Sequence, residues 1–310
     1  MTDAIKKSPT GTIFNGIDMI NRRNAKHVVV KEGRAYCLSD EFGRDIRTRL
    51  KSQQKTYESI MKYDHKARVP KILQYLEAKG NGYLVTEYIK GESIDLLAGT
   101  PLALLTKDAK LYRVRVLRSL IKCVQGLHKA GLVHRDITPN NILMRNGKVW
   151  LVDFELSAYV GSKEKPFKLG TPGFMSPQQE HTSKADFSDD IYALGATMIH
   201  IMTGLDTMLF IVSNNEQRNN KLQLLITGAP KEFIQMLSRT IDANPKKRPT
   251  LISLMNGLDE LEYSLTRSQN TNGKANQLPF RITNQKKLLT ECQKGILISK
   301  MNGKSGLWES

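Results

Sequence analysis

Apolar residues in this chain fall first into short β-branched runs and later into long helical faces. Val28-Val29-Val30 ends on Lys31, which predicts a strand closing on a lysine. Upstream, "GTIFNGIDMI" predicts another strand, with "NRRNAK" as the turn between the two. From Thr48 to Tyr63 apolar residues recur at helical spacing among polar ones, the pattern of an amphipathic helix. "KILQYLEAKGNGYLVTEYIKG" predicts two strands around a "KGNG" turn. Helical signal then dominates from Ser93 to Lys129, with Leu111, Val114, Leu117, Leu120, Ile121 and Val124 on one face. A strand-loop-strand segment covers 132–153, and helical patterns return from Asp189 to about Arg267. The order predicts an α+β chain of two lobes, a small β-rich one over 1–89 and a larger helical one over 90–267. Over 268–310 follow the Asn-rich linker "SQNTNGKANQ" and a tail in which "LLTECQKGILIS" predicts one short helix.

Composition changes this picture little. A hydrophobic fraction of 40% over 310 residues is enough to bury a core, which argues against a disordered chain. The formal charge of +17 suits a basic solvated surface, an acidic peptide partner, or a phosphate-rich ligand. No aromatic-basic motif accompanies the charge, so a nucleic-acid partner is not expected. Cys37, Cys123 and Cys292 are odd in number and lack metal-ligand spacing, which points to reduced thiols and a cytoplasmic location. The start "MTDAIKKSPT" lacks the apolar core of a signal peptide. The apolar stretch "IYALGATMIHIM" is too short to span a bilayer and carries His200.

Chemistry concentrates in "HRDITPNNIL", followed shortly by "VWLVDF". Transfer of a phosphoryl group needs a carboxylate to orient the attacking hydroxyl and oxygen ligands for magnesium beside the phosphates. Asp136 suits the first role; Asn141 and Asp153 suit the second. The combination His-Arg-Asp-x-x-x-x-Asn with a following Asp-Phe on a strand resembles the protein kinase superfamily. The resemblance runs from about Gly11 to Leu258 and implies a bilobal fold using ATP or GTP with Mg2+. It implies that Lys31 holds the α and β phosphates, with Glu58 on the next helix as its candidate partner. "YLVTEYIKGES" resembles the inter-lobe hinge: Thr86 as gatekeeper, Glu87 and Ile89 offering backbone groups to a purine, Glu92 reaching a ribose hydroxyl. "GTPGFMSPQQ" resembles the end of an activation segment, with Thr171 on the catalytic aspartate. Asp190 would anchor the catalytic loop, and Arg248 would pair with Gln178 where the family usually has a glutamate.

Four departures bear on function. Gly11 and Gly16 are the only candidates for a glycine-rich phosphate loop, and "DAIKKSP" ahead of them is a poor strand former. The first strand is therefore expected to be minimal, or the chain to begin downstream of a natural start or an upstream domain. Thr138 stands where Ser/Thr kinases carry a lysine that steadies the γ-phosphate, so either Thr138 alone or another basic residue is expected to compensate. Glu155 replaces the glycine of Asp-Phe-Gly; it should hold the metal strand in its active arrangement, with its carboxylate near a metal ion or a lysine. Arg135 would face a regulatory phosphosite at Ser157, Ser162 or Thr171 in a signalling kinase.

The kinase region of class III and IV lanthipeptide synthetases is similar to this chain in "VVVKEGR", "VPKIL", "HRDITPNNIL", "VDFELSA" and "LGTPGFMSP". "QKGILISKMNGKSGLWES" resembles their connector toward a cyclase domain. This resemblance implies phosphorylation of Ser and Thr in a precursor peptide with an acidic leader, alongside lyase and cyclase domains or subunits. The alternatives are a Ser/Thr signalling kinase, a small-molecule kinase and a pseudokinase scaffold.

Overall fold

In the computed structural model, which describes residues 3–19, 25–64, 67–182 and 184–267, the first lobe is one antiparallel sheet. Its strands are β1 (Ala4–Ser8), β2 (Gly11–Asp18), β3 (Lys26–Gly33), β4 (Ile72–Ala78) and β5 (Asn81–Glu87), ordered β1-β2-β3-β5-β4. Helix α1 (Ile46–Tyr63) connects β3 to β4. The Asp45 carboxylate caps it, accepting from the backbone of Arg47 and Thr48.

Weak strand propensity did not prevent β1. Four of its five residues pair with β2, with a register shift between Ala4 and Lys6, and Gly11 closes the tight Pro9-Thr10 tip. A side chain at Gly11 would overlap the Glu32 carbonyl, so close backbone approach explains this glycine. Gly16 lies inside β2 opposite Val28, not in a loop, which corrects its assignment to a phosphate-binding turn.

The second lobe holds β6 (Glu92–Ser93), α2 (Lys107–Lys129), β7 (Leu132–Val133), β8 (Ile142–Arg145), β9 (Lys148–Leu151) and β10 (Ala158–Tyr159). Helices α3 (Pro177–His181), α4 (Phe187–Thr203), α5 (Asn215–Leu225), α6 (Lys231–Thr240) and α7 (Leu251–Arg267) complete it. The helical run expected from Ser93 breaks into short 3-10 turns before α2 begins. Pro101 interrupts the backbone ladder, and the Thr106 hydroxyl caps α2 by accepting from Ala109. On α2, Val114, Leu117, Leu120, Ile121 and Val124 are buried, as their spacing predicts, and Leu111 is half-buried. Helix α4 starts at an Asp186 capping box, ends at left-handed Gly204, and is buried along nearly its whole length. The tail helix and connector expected within 268–310 lie outside the described residues.

Candidate active site

Strand register fixes which side chains share a face with Lys31. Residues directly opposite one another in an antiparallel pair point the same way. Lys31 pairs with Ile13 on β2 and Leu84 on β5; one step along, Val29 pairs with Asn15 and Thr86. Thr86 therefore stands on the Lys31 face, where a gatekeeper belongs. Gly16 is on the opposite face, against Val28 and Val30. Asn15 and Val29 join this face without having been singled out from the sequence; only register identifies them. At the hinge, the Glu87 N–H is used by the Lys71 carbonyl and the Ile89 carbonyl by the Gly91 N–H. The groups of complementary kind for a purine edge are the Glu87 carbonyl and the Ile89 N–H. Glu92 follows as an exposed residue of β6.

Across the cleft, the catalytic loop hangs from one buried carboxylate. Asp190 accepts from the backbone N–H of His134 (2.9 Å) and Arg135 (2.8 Å), with His128 Nε2 at 2.9 Å. Burial pushes its pKa up, but the His128 hydrogen bond and the neighbouring charges prevail, so the net shift is downward. Arg135 sits at φ +67° and Asp153 at φ +65°, left-handed conformations for non-glycine residues.

Asp136 receives Thr171 Oγ1 at 2.8 Å on one oxygen and Asn141 Nδ2 at 2.7 Å on the other. Burial raises its pKa above the ordinary carboxylate value, against the pull of the Thr171 hydroxyl. Asn141 also donates to the Asp136 carbonyl at 3.0 Å. Its amide nitrogen is thus used inside the loop, and its carbonyl oxygen is the atom it has for a cation. An Asn oxygen beside carboxylates is a hard-oxygen donor set, and it fits magnesium.

Lys31 Nζ lies 2.8 Å from both oxygens of Asp153 and 3.0 Å from Glu155 Oε2. Burial lowers the lysine pKa; Asp153 and Glu155 outweigh that and the net shift is upward. Asp153 is driven down on balance by Lys31 despite burial, whereas burial and then Asp153 push Glu155 up. Lys31 thus makes its ion pairs with the segment that follows β9 and not with Glu58. Glu58 is on the exposed side of α1 and accepts from Gln54 at 3.2 Å. The inward face of α1 carries Arg49, Leu50, Gln53, Thr56 and Ile60, so helical phase excludes Glu58 as the partner of Lys31.

Thr138 also departs from expectation. Only 3% exposed, it accepts the Asn141 N–H on its carbonyl in the turn that follows Asp136. It shapes the loop and presents little surface to a phosphate. Arg135 is 1% exposed and donates to the Phe167 carbonyl at 2.8 Å, so it has no solvent-facing surface for a phosphorylated Ser157, Ser162 or Thr171. Phe154 is buried, with its ring centroid 4.7 Å from that of His134. Gln178 accepts from Arg248 Nη2 at 2.9 Å and donates to Asp189 at 2.6 Å. The expected neutral bond to Arg248 is present, and it has a second arm.

A model of the protein kinase domain matches residues 10–258. Serine/threonine-protein kinase D of Synechocystis sp. is 29% identical over 197 residues, 60% of this chain and 37% of its own length. The putative serine/threonine-protein kinase R436 of Acanthamoeba polyphaga mimivirus is 30% identical over 160 residues, 49% of this chain and 57% of its own. PknL of Mycobacterium tuberculosis, also a serine/threonine-protein kinase by name, is 27% identical over 257 residues, covering 79% and 60%. The chain thus spans between about a third and three fifths of these relatives' lengths.

Proposed function

Because this chain belongs to the protein kinase domain family, a family of phosphotransferases, we propose that it moves the γ-phosphate of ATP to serine or threonine hydroxyls of protein substrates. The observation that carries this reading is the convergence of Asp136, Asn141, Asp153 and Lys31 from two lobes onto one cleft. Asp136 orients the attacking hydroxyl and takes its proton; its carboxylate already accepts one hydroxyl, from Thr171. Lys31 anchors the nucleotide phosphates. Asn141 through its carbonyl oxygen, with Asp153, would hold magnesium, which neutralises phosphate charge when bound. Catalysis is then positioning and charge neutralisation.

The test is Asp153→Asn, assayed with radiolabelled ATP and a generic Ser/Thr substrate. Phosphate transfer should vanish while the circular-dichroism spectrum is kept; unchanged turnover would reject the assignment. The relatives are named serine/threonine-protein kinases, which supports a protein substrate first. A second reading, a precursor-peptide kinase working with lyase and cyclase partners, is favoured by Glu155 and Thr138 at positions where signalling kinases carry Gly and Lys. Incubation with a Ser/Thr-rich precursor peptide bearing an acidic leader, and with a folded protein substrate, separates the two by mass spectrometry. The charge of +17 predicts that affinity for the acidic leader falls with added salt.

A further inference from the structure

The lysine that anchors phosphates needs an acidic partner to hold its long, mobile side chain in one place. Position 58 does not supply it. Glu58 is exposed and bonded to Gln54 within its own helix, and the buried face of α1 offers no carboxylate. The two acids that do meet Lys31 come from one segment, Asp153 and Glu155. Of these, Asp153 is also the residue required by the metal, so it is shared between two cations in the working enzyme. Glu155 has no such competing duty: its side chain is about one-fifth exposed and its Oε2 is 3.0 Å from Nζ.

We propose that Glu155 is the positioning residue for Lys31, replacing an acid on helix α1, and that it rather than Glu58 sets the affinity for nucleotide phosphates. This rests on the kinase reading of the same cleft. The backbone permits the exchange. Asp153 takes the left-handed bend, and Glu155 is not among the residues with positive φ, so a side chain at position 155 carries no conformational penalty.

The charge on α1 is inverted to match. Arg49 is fully buried, and its positive charge acts on Glu155 alongside that of Lys31. It also donates to the Leu38 carbonyl and lies over the Phe167 ring, 4.9 Å from its centroid. Helix α1 thus contributes a buried positive charge near Glu155 and no acid to the lysine, which is bonded by Asp153 and Glu155. The acid stands in the turn after β9 and the base on α1.

The experiment measures binding as well as turnover. A fluorescent ATP analogue is titrated in EDTA and again with magnesium, using the full chain and its Glu155→Ala, Glu155→Gln, Glu155→Asp and Glu58→Ala variants. With magnesium drawing on Asp153, loss of the charge-assisted bond to Lys31 should weaken binding by roughly tenfold or more in the Ala and Gln variants, and by less in EDTA, where Asp153 still holds the lysine. Glu155→Asp, which keeps the charge, should recover part of it, and Glu58→Ala should bind as wild type. In turnover assays the same variants should raise the KM for ATP at least as much as they lower kcat. Glu155→Gln preserves side-chain volume and guards against a variant that fails to fold. The proposal is overturned if Glu58→Ala weakens binding and the Glu155 variants do not. It is equally overturned if the Glu155 variants regain wild-type affinity once the magnesium concentration is raised, which would make Glu155 a metal ligand. A wild-type chain that binds nucleotide but phosphorylates no peptide rejects the kinase reading while leaving Glu155 to be judged by the binding data. A chain that binds no nucleotide overturns both.

Discussion

At Asp136 one carboxylate stands where the proposed function needs a proton acceptor. Burial raises its pKa, and Thr171 and Asn141 hold one oxygen each. The proposed base must be ionised to act, so it is the low-pH limb of the activity profile that should move. Protonated Asp136 cannot accept the substrate proton, and kcat/KM should fall as pH drops through a value above the ordinary carboxylate range. Asp136→Asn should lose about 10²–10⁴-fold in kcat while binding the fluorescent ATP analogue like wild type. A variant that loses affinity and keeps kcat would place Asp136 in ground-state binding instead.

At the scale of elements, two contacts join helices through groups that a conservative change would upset. Gln178, on α3, bridges Arg248 and Asp189 by accepting from one and donating to the other. A glutamate, the usual family residue, would keep the first bond and set a carboxylate against Asp189. Asp189 is already pushed up by burial. Gln178→Glu should cost about 1–3 kcal/mol. Its acids would have raised folded-state pKa values, so the loss should be small at low pH and grow as pH rises through the carboxylate range. Urea melts at pH 4 and pH 8 would check this. Gly195 on α4 faces Thr240 on α6 so closely that an added methyl would overlap the threonine side chain. Gly195→Ala should lower stability by about 1–3 kcal/mol despite alanine's better helix propensity, visible as a lower Tm.

For the whole molecule, Asp190 ties α4 to the catalytic loop, and its folded-state pKa is depressed on balance. The stability it contributes is present above the ordinary aspartate value and is lost as pH falls through the depressed one. Asp190→Asn should cost about 3 kcal/mol near neutrality, the order expected for breaking a buried charged pair. It should also flatten the acid limb of the stability curve, measured by urea unfolding from pH 3 to 7. An acid limb identical to wild type would show that other carboxylates govern acid unfolding.

Two kinds of information carried different distances along this chain. The strand ending in Lys31, the buried face of α2 and the "HRDITPNN" to "VDF" spacing were determined by local pattern, because periodicity and turn chemistry act over a few residues. Lys31, Asp136, Asn141 and Asp153 were therefore legible as a set. Helical phase, with Glu58 turned outward and Arg49 inward, was decided by how α1 packs, since an 18-residue helix of mostly polar residues has no strong apolar stripe to announce its inner face. Gly16 was misplaced because a glycine inside a strand and one in a turn look alike until register is set. The partnership of Lys31 with Glu155 joins residues 124 positions apart. The sequence alone determined that an acid stood beside the metal residue; only the closing of two lobes decided that it holds the lysine, because that contact exists between elements and in neither one.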